Sequence, residues 1–204
     1  MLEIVVELAA NDPAYEELAT NVGMRFLLIA RAMNAIGPDG MWDEEDGFYY
    51  DVLRLPDGNA TRLEVRSMVG LSPLCATTVV EKWQREGVPG LIARLYERFR
   101  RMPELRESIH ATGPGQFGVG ERGIMALVNE SRLRRILSCM LDENEFLSPY
   151  GIRALSRYHP DHPYSFWVQG QEYRVNYLPT ESDTGMFRAT RTGAGRSGCP
   201  LKCC

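Results

Sequence analysis

Between residues 42 and 51 the chain reads Trp42-Asp43-Glu44-Glu45-Asp46-Gly47-Phe48-Tyr49-Tyr50-Asp51. Carboxylates interleaved with aromatics suit a polyhydroxylated ligand. Carboxylates take paired hydrogen bonds from vicinal hydroxyls, and aromatic faces pack on the C–H surfaces of a sugar. Trp42, Asp43 and Tyr49 are the candidates for that contact. The same residue types also read as an acidic surface loop whose aromatics enter a core, and the residues alone leave both readings open. A calcium loop does not fit, because the ligand spacing of an EF-hand and its late glutamate are absent.

A second candidate is Ser148-Pro149-Tyr150-Gly151-Ile152-Arg153, continuing to Tyr158-His159. Tyr150 and Arg153, on a short helix after a Pro/Gly turn, would line a polar cavity. The alternative is a packed turn whose arginines pair with local acids. His159 and His162 are three apart, but Pro160 and Pro163 prevent the regular helix that would aim both at one metal, so no metal site is assigned. Thr180-Glu181-Ser182-Asp183-Thr184-Gly185 offers adjacent acids on a loop, which suit acid–base work but read equally as an ordinary acidic loop. No phosphate-binding glycine loop, dinucleotide fingerprint, nucleophile elbow or C-x-x-C pair occurs.

These residues need elements to hold them. Residues 13 to 34 predict a helix: Asp12 can cap it, Pro13 suits its first turn, and Glu16 and Glu17 suit its positive end. Tyr15, Leu18, Ala19, Val22, Phe26, Ile29, Ala30 and Met33 make its apolar stripe. Met1 to Ala9 reads as a helix with Leu2, Val5, Val6 and Ala9 inward; having no start signal, it suggests a missing upstream part. Phe48 to Leu55 and Arg62 to Arg66 read as a hairpin about Pro56-Asp57-Gly58. Helices are expected at Pro73 to Arg85, Gly90 to Met102, Glu130 to Leu141 after the cap Asn129, and Pro149 to Ser156. Trp167 to Val175 reads as a hairpin around Gly170. The sum is a mostly α chain with small β-hairpins on its connecting loops.

With 204 residues, 44% hydrophobic and 25% charged, the chain has ample material for a core. No apolar run approaches the roughly 20 residues of a membrane helix. The net charge of −4 has interspersed signs, which gives no case for nucleic acid or anionic membrane as a partner. Five cysteines and no secretion signal argue for a reducing, cytoplasmic setting. Composition changes after Phe187. Residues 188 to 204 hold four basic residues, no acid, and three of the cysteines, leaving a net −8 on residues 1 to 187.

The strings WDEEDGFYYDVLRLPDG (42 to 58), VRSMVGLSPL (65 to 74), LSPYGIRALSRYH (147 to 159) and GQEYRVNYLPTESDTGMF (170 to 187) stand in one order. They resemble bacterial members of glycoside hydrolase family 63, relatives of mannosyl-oligosaccharide glucosidase and mannosylglycerate hydrolase. The resemblance implies a partial (α/α)6 toroid over residues 1 to 187. It also implies an inverting glycosidase of glucosidase type, acting on α-linked oligosaccharides or small glycosides. In such enzymes a general acid and a general base stand roughly 6.5–9.5 Å apart, and the resemblance implies no cofactor. In the family the acid falls upstream of the position that Met1 matches and the base far downstream. The chain therefore reads as a middle slice, inactive alone, with a non-catalytic carbohydrate-binding remnant or a non-functional truncated product as alternatives. Its expected contributions to the sugar cavity are Trp42, Asp43, Tyr49, Tyr150, Arg153 and Asp183. After the fourth string the family continues approximately G-G-N-S-N-W-R-G-P-I-W. Residues 188 to 200, back-translated with suitable synonymous codons and read two nucleotides on, yield G-N-S-N-W-R-G-P-I-W-M-P. The tail from 188 to 204 thus reads as a frameshift product, which resequencing the DNA tests. Nothing in the sequence marks an oligomeric state.

Overall fold

The computed structural model describes residues 1–177 except 36, 38, 39, 57, 107, 108 and 112–116. Asp183 and the tail from 188 to 204 lie outside the described residues. In chain order the helices are α1 (Leu2–Asn11), α2 (Glu16–Met33), α3 (Lys82–Gly87), α4 (Pro89–Arg100), α5 (Pro103–Arg106) and α6 (Glu130–Leu141). The strands are β1 (Trp42–Asp43), β2 (Phe48–Tyr49), β3 (Asp51–Arg54), β4 (Ala60–Leu63), β5 (Thr77–Val80), β6 (His110–Ala111), β7 (Gly123–Ala126), β8 (Leu147–Ser148), β9 (Gly151–Ile152), β10 (Tyr164–Val168) and β11 (Gln171–Val175). The chain forms two compact units, residues 1–36 with 73–133, and residues 37–72 with the chain from 134 onward.

In the first unit α1 buries Leu2, Val5, Val6 and Ala9, the one-sided spacing read from the sequence. The Asp12 carboxylate accepts a hydrogen bond from the Ala14 N–H at 2.9 Å and caps the 3-10 turn Pro13–Tyr15 that leads into α2. The buried face of α2 is narrower than expected: Ala19, Gly23, Leu27 and Ala30 are inside. Tyr15, Leu18 and Ile29, placed on the apolar stripe by spacing, are exposed. Small residues face the neighbours because the helices pack closely there, and spacing does not report that distance. Val88 and Leu91 complete this core with α1 and Ala19.

The helix expected over Pro73 to Arg85 is not formed. A 3-10 segment spans Met68–Cys75, β5 follows, and α3 begins only at Lys82. Thr77, Thr78, Val79 and Val80 are all β-branched, and they pair with β7 in a three-stranded antiparallel sheet ordered β5-β7-β6. Glu81 then starts α3 through a reciprocal capping box with Gln84.

The second unit is built mainly of two-stranded antiparallel sheets, β1-β2, β3-β4, β8-β9 and β10-β11. Its buried apolar side chains include Trp42, Phe48, Tyr49, Tyr50, Leu71, Ile136, Phe146 and Leu155. Phe48 stacks on Phe146 at 5.7 Å, and Trp42 lies 4.9 Å from Tyr49, its cross-strand partner. The expected helix Pro149 to Ser156 is instead the turn and strand of β8-β9. The Ser148 hydroxyl donates to the Gly151 carbonyl at 2.8 Å and accepts from the Tyr150 N–H at 3.2 Å, local bonds that compete with a helix.

These findings correct the expected fold class. A mostly α, partial (α/α)6 toroid requires successive helix pairs with hairpins only on their connections. The described residues instead have six α-helices, of which α3 and α5 are short, and five small antiparallel sheets. The architecture is mixed α and β. The segments taken for connecting loops are rich in aromatic and β-branched residues, and they form the second unit's own core. No helix among the described residues is long and apolar enough to cross a membrane.

Candidate functional site

The polar centre of the second unit is Arg66, just beyond β4. Its backbone is stitched to the segment after β9. Ser67 and Leu155 form a β-bridge, the Ser156 N–H donates to the Arg66 carbonyl at 2.8 Å, and the Met68 N–H donates to the Ala154 carbonyl at 2.8 Å. The Arg66 N–H donates to His159 Nε2 at 2.9 Å. This leaves the ring proton on His159 Nδ1, which lies 3.0 Å from the His162 carbonyl. Both ring nitrogens are therefore engaged within the fold.

The Arg66 guanidinium meets three side chains. It donates through Nε to the Tyr50 hydroxyl at 3.2 Å, through one terminal nitrogen to Asp46 at 2.9 Å, and through the other to Glu145. The Tyr50 hydroxyl donates to the second Asp46 oxygen at 2.6 Å, and the Ser156 hydroxyl donates to the second Glu145 oxygen. The guanidinium carbon lies 4.3 Å from the Tyr158 ring centre, and Tyr158 in turn stacks on His162 at 4.0 Å. Tyr50, Ser156 and His159 are fully buried.

Burial opposes the Arg66 charge, but Tyr50, Glu145 and Asp46 outweigh it and raise its pKa. Burial pushes the Tyr50 hydroxyl well above its ordinary range, and Asp46 adds to that. Burial lowers the His159 pKa, aided by the Arg66 charge and opposed by the His162 carbonyl. Burial also pushes the nearby Cys139 thiol up to about 12, with Glu145 contributing. The network sets one guanidinium against two carboxylates, with hydroxyl and ring groups hydrogen-bonded around them. It holds Tyr50 and His159 neutral and Arg66 charged.

Two more arginines fasten the acidic loop. Arg62 pairs with Asp43 and donates to the Gly40 and Gly37 carbonyls at 3.2 and 3.0 Å. Arg135 donates to the Glu44 and Glu45 carbonyls at 2.6 and 2.7 Å and pairs with the Glu44 carboxylate at 3.1 Å. The Trp42 indole N–H donates to Glu44 at 2.6 Å.

The expected sugar contacts separate. Trp42, Asp43 and Tyr49 come together in the β1-β2 hairpin, but both rings are buried and the Asp43 carboxylate is held by Arg62. This is the packed-loop alternative for residues 42 to 51. Arg153 is buried and donates to the carbonyls of Glu143, Glu145 and Leu147. Tyr150 is 67% exposed and stands apart from them. Asp183 lies outside the described residues. Sequence reasoning passed over Arg66 and Glu145, and weighed His159 only as a metal ligand. Their positions, 79 residues apart for Arg66 and Glu145, carry no local signal of the pairing.

A cavity of about 260 Å³ lies in the first unit, lined chiefly by Val6, Leu27, Leu91, Leu95, Phe99 and Met125, with Arg85 at its edge. No carboxylate lines it, so it offers no acid–base pair.

No family model matches the chain. No solved structure matches it either. The chain is similar to the uncharacterized protein YMR196W of Saccharomyces cerevisiae, at 40% identity over 200 residues that cover 92% of this chain and 18% of that protein. The chain thus spans less than a fifth of the length of the relative it matches.

Proposed function

We propose that the chain is a structural segment of an inverting glycoside hydrolase of glucosidase type, acting on α-linked oligosaccharides or small glycosides, and that it has no hydrolytic activity alone. One observation carries this reading. Three of the four strings that resemble glycoside hydrolase family 63 meet at the Arg66 network. Asp46 and Tyr50 come from the first, Arg66 from the second, and Ser156, Tyr158 and His159 from the third. Residues from three separate strings share one structural centre, and that supports reading the strings as one unit. The similarity to a stretch of a much longer protein is consistent with a segment that supports a site completed by other residues. Asp43, Asp46 and Glu145 are each held by an arginine, so none is a free partner for proton transfer.

The test is hydrolysis. The yeast relative and the present chain are assayed against α-linked gluco- and manno-oligosaccharides, with the anomer of the released sugar followed by NMR. Release of the inverted anomer by the relative and none by the chain is expected. A relative inactive on the whole panel would overturn the reading.

A further inference from the structure

The β10-β11 hairpin has two unlike faces. It turns through Gln169 and Gly170, both at positive φ (51° and 81°), the geometry that matches the twist of paired strands. On one face Tyr164, Phe166 and Val168 alternate with Tyr173 and Val175 across the ladder, and most of these side chains are half-buried. Tyr164 reaches the Glu64 backbone and fastens that face to the unit. The other face carries Ser165 and Trp167, with Arg174 and Glu172 directly opposite them. Trp167 is 63% exposed, and Glu172 and Arg174 are exposed as well.

We infer that this second face is a binding platform for one pyranose unit, with Trp167 as the stacking surface and Glu172 and Arg174 as hydrogen-bonding flanks. The inference rests on the carbohydrate reading proposed above. A single exposed aromatic is common and signals nothing by itself. Its surroundings decide the ligand class. Docking of another protein's apolar surface would strip water from the charged Glu172 and Arg174 side chains, which is costly. A pyranose has a C–H face for the indole and equatorial hydroxyls at its rim. Those hydroxyls donate to the Glu172 carboxylate and accept from the Arg174 guanidinium. The directly opposed pair Trp167 and Glu172 has Cβ atoms about 5 Å apart, and the diagonal Arg174 is at about 7–8 Å, the span of a sugar ring and its hydroxyls. Nucleic acid would also stack on the indole, but one carboxylate and one guanidinium leave this face without the net positive charge that binds a phosphate backbone.

The three tryptophans allow a direct test. The full chain is labelled with 5-fluorotryptophan and titrated with maltotetraose and with mannotetraose, each followed by fluorine NMR. W167F assigns the Trp167 signal. A saturable shift of the Trp167 signal with one of the sugars is expected, weakened about tenfold or more by E172Q and by R174Q. Both substitutions are on an exposed face, and unchanged signals from Trp42 and Trp83 certify the fold. A shift confined to Trp42 or Trp83 would overturn the platform while leaving the carbohydrate reading intact. No shift with either sugar would also overturn the platform, and the hydrolysis assay on the yeast relative would then decide the broader reading separately.

Discussion

Arg66 shows how one side chain can organise a unit. Its guanidinium pairs with both Asp46 and Glu145 and supports Tyr50, and its backbone satisfies His159. Arg66→Ala would leave two carboxylates without a counter-charge, in side chains 15% and 35% exposed for Glu145 and Asp46. We expect a loss of about 3 kcal/mol in urea unfolding, near the lower end for a buried pair because Asp46 keeps some solvent. Arg66→Lys should recover little of it, because an ammonium cannot bridge three acceptors in one plane. His159 adds a pH dependence. Its pKa is lowered in the fold, so below about 6.5 the unfolded chain takes up a proton that the folded chain refuses. The contribution is complete above that pH and is lost as pH falls through it toward the folded-state value. The urea midpoint should therefore drop between pH 8 and 5.5, and His159→Gln should flatten the slope. An equal slope in the variant would assign the drop to carboxylates.

At the scale of elements, the second unit depends on close contact between short pieces. Gly70 lies in the 3-10 segment, and a Cβ there would sit 2.3 Å from both the Phe48 ring and the Tyr49 carbonyl oxygen. Gly70→Ala must displace backbone or a buried ring, so a loss of about 1–3 kcal/mol is expected, read as a lowered thermal midpoint. The elements legible from sequence are those whose determinants are local. Asn129 caps α6 by accepting the Arg132 N–H at 2.8 Å, Asp12 caps the turn before α2, and Gly170 closes the β10-β11 hairpin. The illegible ones follow from pairing at a distance. β5 is a strand because β7 lies beside it, and β8-β9 is a hairpin because side-chain bonds stop the helix that Pro149 would start.

At the scale of the whole molecule, several apolar side chains of the first unit remain in solvent. Ile4 and Leu8 on α1, and Leu18, Leu28 and Ile29 on α2, are all between 41% and 58% exposed. Helices with apolar residues on more than one side are ordinarily covered on more than one side. The folded chain is therefore expected to enhance the fluorescence of an apolar dye while its near-ultraviolet circular dichroism stays native. Enhancement appearing only after that dichroism is lost would show instead that these side chains are covered in solution.

The sequence by itself determined the caps, the turns, the inward face of α1 and the composition that excludes a membrane helix among the described residues. Each of these depends on neighbours within a few positions, where residue type and spacing act directly. Only the tertiary structure decided that the aromatics Trp42 and Tyr49 are core, that Asp43 and Arg153 hold backbone and loop together, and that Arg66, Glu145 and His159 form one network. A carboxylate for a sugar and a carboxylate for an arginine are the same residue in a sequence. Which it becomes depends on a cation brought near from a distant part of the chain, and on the water that burial removes.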